Sequence, residues 1–306
     1  MEGSTATQQP KICVIIASHN FEPWMDVCIP SALRSSIPVT VLVVDNASSD
    51  NTCNRIKSDY PDVLLFENKQ NLGFGQANNI GLKYAIAEGF DDVFLLNQDA
   101  TIETDTLEIL VSEAQKRPHL GIISPVHLNG RGDSFDFGFK TYTKLSDLQD
   151  LDQLSDDPVE CPFINAALWL IPIDVIKLVG GFAPIFPHYG EDVNYAQRVR
   201  FHGYKTGFVK SAKGCHFREN REISPAQFFY AEYIYFLSES VNPFHSLFKA
   251  FAYSIMAALK KATSTLLKGN FRAFSEYTSI VFRLAGKTKR ILKTRTQSIR
   301  RNRPFL

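Results

Sequence analysis

KICVIIASHN, residues 11–20, is a short apolar run rich in β-branched residues that halts at two polar ones. A run without alternation is the pattern of a strand buried on both faces. Working outward, residues 24–36 read as a helix and TVLVVDN (40–46) as a second buried strand. SSDNTCNRIKSDY (48–60) opens with capping Ser and Asp and then takes helical spacing, and VLLFEN (63–68) is a third strand. GQANNIGLKYAIAEG (75–89) is a helix closed by Gly89, and DDVFLLNQDA (91–100) carries a fourth strand. Apolar strands separated by helices predict an α/β fold, a parallel sheet covered on both faces. Ligands of such sheets bind beyond the carboxyl ends of the strands. Three of those ends are polar here, SHN, DNASSD and NQDA, so a site is expected among them.

The 306 residues, 44% hydrophobic and 21% charged, suffice for one large α/β domain or two smaller ones. The net charge of +1 hides an asymmetry. From Asn242 onward there are fourteen Lys/Arg and one acid, Glu276, a balance of +13, which leaves the preceding body at −12. A basic segment on an acidic body points to an anionic partner. The five cysteines are scattered without a C-x-x-C pair, so neither a zinc site nor a disulfide framework is indicated, and a reducing, cytoplasmic setting is expected. Cys13, inside the first strand, reads as core. Residues 1–10 are polar and expected to be disordered, with no apolar region of a signal peptide. The longest uncharged apolar stretch near the C-terminus, AFAYSIMAAL (250–259), falls short of the ~20 residues needed to span a bilayer.

Between Arg131 and Pro158 the pattern dissolves into Gly, Asp, Ser and Lys, which reads as a loop or flap, and FINAALWLIP (163–172) restores apolar order. Asn242-Pro243 reads as a helix start and Gly269 as its stop. Stepping ~100° per residue from Phe244 gathers Leu247, Phe248, Phe251, Ile255, Leu259 and Leu266 on one arc, with lysines opposite. Such a stripe either packs on the main domain or lies on a membrane surface. The segment 283–303 holds nine bases and no acid, either a solvated tail or one drawn to anionic lipid. The expected organisation is a disordered 1–10, a catalytic domain over 11–241 and a basic amphipathic extension over 242–306.

Several residues could carry chemistry, each with an ordinary alternative. Asp45, ending the second strand, suits hydrogen bonding to a ribose hydroxyl or base N–H, but Asp-Asn is also a common turn pair. NLGFGQANNIG (71–81) has Gly73-x-Gly75 before a helix, yet Asn78 stands where a dinucleotide fingerprint needs its third glycine. That argues against a nucleotide-dependent dehydrogenase, while leaving backbone N–H groups available to a phosphate or sugar. Asp99 in NQDA is either a helix cap or a ligand for a divalent cation on a diphosphate. Glu191-Asp192, in FPHYGEDVNYAQRVRFHGYK (186–205), either favours a helix N-terminus or supplies a general base. His216 is a buried histidine or a metal or diphosphate ligand.

Taken in order, VIIASHN (14–20), VVDNASSDNT (43–52), NLGFGQANNIG (71–81), LLNQDA (95–100) and GGF…YGEDVNYAQRVRFHGYK (180–205), followed by His216, resemble the inverting family 2 glycosyltransferases. The resemblance spans roughly residues 11–218, and the glycine loop with YGEDVNYAQR is most like the rhamnosyltransferase branch of surface-polysaccharide synthesis. It implies the GT-A fold, a Rossmann-like, mostly parallel sheet flanked by helices, here with a C-terminal helical basic extension. It further implies that Ser18, Asn20 and Asp45 hold the nucleotide, and that Asn71, Gly73 and Asn78 line the sugar-nucleotide loop. Asp99 would be the last acid of the family's D-x-D and bind a divalent metal, Mg or Mn, with His216 as auxiliary ligand. Asn97 replaces the first acid and would reach ribose or a metal-bound water. Asp192 would take the proton from the acceptor hydroxyl, with Glu191 orienting it or binding the acceptor. The partners implied are a dTDP- or UDP-sugar donor and a glycan or polyprenyl-diphosphate-linked acceptor. The basic extension would serve as an anchor on an anionic membrane surface. A catalytically weak sugar-nucleotide-binding or scaffold protein of the same fold is the alternative. Nucleic acid is not expected, since the tail lacks aromatics between Phe282 and Phe305.

Overall fold

The computed structural model describes residues 9–218, 223–302 and 304–306. Residues 1–8, most of the segment expected to be disordered, and Arg303 of the basic tail lie outside the described residues. Among them a nine-stranded sheet forms the centre, built from β1 (Ile12–Ser18), β2 (Val39–Asp45), β3 (Leu64–Glu67), β4 (Asp92–Leu96), β5 (Ala100–Ile102), β6 (Leu120–Asn129), β7 (Val159–Cys161), β8 (Leu168–Pro172) and β9 (Lys205–His216). The order is β3-β2-β1-β4-β8-β6-β9-β5, with β7 also against β9. β1 pairs in parallel with both β2 and β4, and β2 with β3. β8 runs antiparallel between β4 and β6, which reverses the chain so that its entry, not its exit, faces the site.

The helices are α1 (Met25–Leu33), α2 (Thr52–Asp59), α3 (Phe74–Ala87), α4 (Thr106–Lys116), α5 (Phe137–Thr143), α6 (Ile173–Val179), α7 (Glu191–Phe201), α8 (Pro225–Val241), α9 (Leu247–Phe251), α10 (Ala257–Leu267), α11 (Phe271–Gly286) and α12 (Thr288–Ser298). Alternate strand residues feed two cores. Ile12, Val14 and Ile16 point to the α1–α4 side, while Cys13 and Ile15 join α3, α6 and α7 with Trp169 and Phe182. A fully buried Leu, Ile or Phe contributes ~1.5–3 kcal/mol, so two faces of this kind hold the sheet. Cys13 is core as expected, its thiol pushed up to about 12 by burial. The 131–158 stretch is not the open flap that its composition suggests. Asp136 caps α5 by accepting from the Gly138 and Phe139 amides (2.8 and 3.1 Å), and Phe135 and Phe139 lie in a small core against Phe208.

α8 starts on a reciprocal capping box, in which Ser224 accepts from the Gln227 amide and Gln227 accepts from the Ser224 amide, with Pro225 at its first position. It seats α10, α11 and the 183–186 turn in a third core. Asn242-Pro243 does not start a helix. Asn242 ends α8, its side-chain carbonyl accepts from the Phe244 amide, and the next helix begins at Leu247 with Ser246 as cap. Asn242 thereby closes an Asx turn, a competing use of the same side chain.

Asn302 and residues 304–306 return to the body. The Asn302 amide donates to Leu178 (3.1 Å), the Gly181 amide donates to Pro304 (3.0 Å), the Phe305 ring lies 4.9 Å from the Arg198 guanidinium, and Leu306 packs on the core holding Phe182. A side chain at Gly180 would run into Pro304, so glycine there permits the docking. Arg198, fully buried without a carboxylate, donates to Asn194, Val179 and Gly181 and so ties α7 to the same corner.

Candidate active site

The carboxyl ends of β1, β2 and β4 are knitted together. The Ser18 hydroxyl donates to Asp45 (3.3 Å), and Asp45 also accepts from the amide and hydroxyl of Ser48 (2.9 and 2.5 Å). Asn20, held at φ +51°, accepts from the Ser49 amide (2.9 Å). Gln98 exchanges hydrogen bonds with the His19 backbone (2.8 and 3.2 Å), joining the first and fourth strand ends. Ser18, Asn20 and Asp45 therefore sit on one rim, with the buried Asp45 organising the loop that follows it.

Asn71 accepts from the Gly73 amide (2.9 Å) and shapes the turn into α3. Gly73 has φ +79°, and a side chain there would strike the Pro187 carbonyl, so the glycine loop presses directly on the loop before α7. Asn78 lies a turn into α3, buried; its amide donates to Phe74 (3.0 Å) and its carbonyl oxygen has no partner.

Phe74, Asn97, Asn165, His188, Glu191, Asp192, His216 and Arg218 line one cavity of about 170 Å³. Residues from the β4 end, the β8 entry, the α7 start and the β9 end thus meet in a single space. Asp99 adjoins it, its Oδ1 lying 3.4 Å from His216 Nε2, while β5 pairs Ala100 with His216. Burial pushes the Asp99 carboxyl up, but hydrogen bonding to His216 and its charge outweigh burial and hold it below the ordinary value. His216 is almost fully buried and turns its other nitrogen toward Asp136 (3.8 Å), which also pairs with Arg218 (2.8 Å). Asp136 and Arg218 escaped the sequence reading. The signal for Asp136 lay in a stretch that looked like loop, and Arg218 stands only two residues past His216.

Glu191 and Asp192 open α7 after Tyr189 and Gly190, both at positive φ (+63° and +84°). Gly190 lies against Ile234 of α8, and Tyr230 of α8 donates to the His188 carbonyl (2.8 Å), so this turn is braced from behind. No side chain caps α7 from Gly190; Asp192 accepts from the Val193 amide (2.8 Å), while Glu191 Oε2 is buried with no partner. Burial and then the Asp192 charge raise Glu191 to about 7, and burial raises Asp192 as well. Carboxylates whose basicity is raised in this way are suited to accepting a proton near neutral pH, and Glu191 keeps one oxygen unspent.

Comparison with known proteins identifies the family and the fold. A family profile described as "Glycosyl transferase family 2" matches residues 13–175. An N-acetylglucosaminyl-diphospho-decaprenol L-rhamnosyltransferase of Mycobacterium tuberculosis is 24% identical over 231 residues, 66% of this chain and 75% of its own. The fold is shared with GalNAc-T7 in complex with UDP, GalNAc and Mn2+ (TM-score 0.56, 16% identity, 74% of this chain and 48% of that one). It is also shared with S. aureus TarS 1-349 bound to UDP (TM-score 0.54, 13% identity, 94% and 90% of the two chains). The sheet is that of the GT-A glycosyltransferases, and the chain belongs to glycosyl transferase family 2.

Proposed function

We propose that the chain is an inverting glycosyltransferase that moves a sugar, rhamnose in our reading, from a dTDP- or UDP-linked donor to a hydroxyl of a polyprenyl-diphosphate-linked glycan. The observation that carries this is the convergence of Glu191, Asp192, Asn97 and His216 on one cavity, with Asp99 at its edge. Ser18, Asn20 and Asp45 would receive the nucleoside, and the Asn71–Gly73 turn the sugar. Asp192 would accept the acceptor hydroxyl proton as the oxygen attacks the anomeric carbon opposite the leaving nucleoside diphosphate, inverting its configuration. Glu191, raised to about 7 and so protonated in about half of the molecules at neutral pH, would in that form donate a hydrogen bond to the acceptor.

Asp99 and His216 would hold a divalent cation, the one offering a carboxylate oxygen and the other an imidazole nitrogen 3.4 Å away. When bound, such an ion would offset negative charge growing on the leaving diphosphate. Asn97 supplies a neutral oxygen where a second acid would stand, so affinity for the free ion should be low and depend on nucleotide. No helix among the described residues is long and apolar enough to cross a membrane. We place the protein on the cytoplasmic membrane surface, where a lipid-linked acceptor is presented, with its basic segment toward anionic lipid.

Asp192→Asn tests the assignment. Turnover should fall ~10²–10⁴-fold while nucleotide binding, read by thermal stabilisation, stays as in the wild type. Undiminished turnover would remove Asp192 from the reaction. The same thermal assay with UDP, dTDP and GDP, with Mn²⁺ or EDTA, identifies the base and the role of the metal.

A further inference from the structure

The stretch from Leu247 to Leu267 is seated by the face opposite to the one its hydropathy suggests. Ala250, Ser254, Ala258 and Ala262, four residues apart, are the buried positions, lying against the α8–α11 core. A π-turn over Ala252–Met256 inserts the extra residue that keeps a four-residue spacing on one side. The large apolar residues are consequently left outside: Leu247, Phe248, Phe251, Met256, Leu259 and Leu267 are all exposed, Phe248 by 76% and Leu267 by 88%. The step from Phe251 to Met256 spans the π-turn, so these residues stay on one continuous face. Of the stripe, Ile255 is half-buried against the third core, while Leu247, Phe248, Phe251 and Leu259 face outward.

We infer that this face, from Leu247 to Leu267, is a lipid-contact surface lying flat on an anionic bilayer. Exposed apolar surface of this extent marks a docking site. Charge selects its occupant, because the chain from Asn242 onward holds fourteen Lys/Arg against one acid. Among the described residues only Lys261 of these bases pairs with a carboxylate, Glu232; Arg290 and Arg295 donate to backbone carbonyls of the body and Arg283 lies over the Tyr233 ring, which leaves Lys260 and Lys268, beside the patch, to meet an outside anion. A second copy of the chain fits poorly, since a two-fold contact would set these lysines against their own equivalents. Apolar side chains with basic flanks match the boundary between headgroups and acyl chains. α8 beneath the patch also touches His188 and Gly190 at the cavity rim, so adsorption would hold the cavity beside the lipid phase. This deepens the reading of a lipid-linked acceptor and rests on it.

The test is binding of the full chain to phosphatidylcholine vesicles with and without phosphatidylglycerol, at low and high salt. Wild type should prefer the anionic vesicles, more so at low salt. Phe248→Glu with Phe251→Glu should weaken that binding more than about tenfold, with thermal midpoint and turnover on a water-soluble acceptor unchanged. Lys260→Glu with Lys268→Glu should reduce binding to the anionic vesicles alone. Wild-type affinity in the Phe variant overturns the proposal, as does absence of binding by wild type. Conversion of a dimer to a monomer by the Phe variant, with vesicle binding unaltered, assigns the face to a second copy instead. Loss of turnover on the soluble acceptor in wild type would refute the proposed reaction and leave the vesicle result standing.

Discussion

Replacing Glu191 by Gln should make the protein more stable, by an amount that grows with pH. The side chain is buried with Oε2 unpartnered, and its carboxyl is raised from 4.5 to about 7 by burial and by Asp192. That difference corresponds to ~3 kcal/mol favouring the protonated form in the fold. The sign follows from linkage. Because the folded-state value is the higher one, the stabilising contribution is complete below 4.5 and is lost as pH rises through about 7. Glutamine imitates the protonated carboxyl at every pH, so the variant should match wild type near pH 4.5 and exceed it by ~2–3 kcal/mol above pH 7.5. Urea unfolding of both proteins across that range reads the difference, with the titrations of groups remote from Glu191 cancelling and that of Asp192 included in it. A gap that stays flat with pH would refute the buried-charge account of Glu191.

The acid side of the kcat profile should fall with a midpoint above the ordinary aspartate value of 3.8, since burial raises Asp192 and only its ionised form accepts a proton; a flat profile to pH 4 would contradict the assignment. Gly73→Ala should destabilise the glycine loop by ~1–3 kcal/mol through its positive φ and its contact with Pro187, and raise KM for the donor more than it lowers Tm. Arg198→Met should cost about 3 kcal/mol or more in urea unfolding by stranding the Val179 and Gly181 carbonyls; a loss under 1 kcal/mol would show that water takes over both.

The strands and their polar ends were legible because buried parallel strands concentrate β-branched residues, and the three ends SHN, DNASSD and NQDA do lie on one rim. The readable acid pair Glu191-Asp192 likewise reaches the cavity with Asn97 and His216. Three features were not legible. Asp136 stands 82 residues before Arg218, its ion-pair partner, a contact that local spacing cannot announce. Asn242-Pro243 has the chemistry of a helix start, but the side chain is used within its own turn. The helical wheel found the apolar arc correctly yet could not say that the small residues, not the large ones, would be buried, since that choice is made by α8 and α11.

The docking of Pro304, Phe305 and Leu306 has a bearing on synthesis. On a ribosome the sheet, the rim of Ser18 and Asp45, and α7 all emerge roughly 90 residues before Pro304, Phe305 and Leu306 reach the Gly180–Gly181 corner. A chain truncated before Pro304 would keep the rim of Ser18 and Asp45 but lose one of the two supports of the corner behind α7. The contact of Pro304, Phe305 and Leu306 with Gly180–Gly181 thus couples the end of α6 to a stretch made only after α8 to α12.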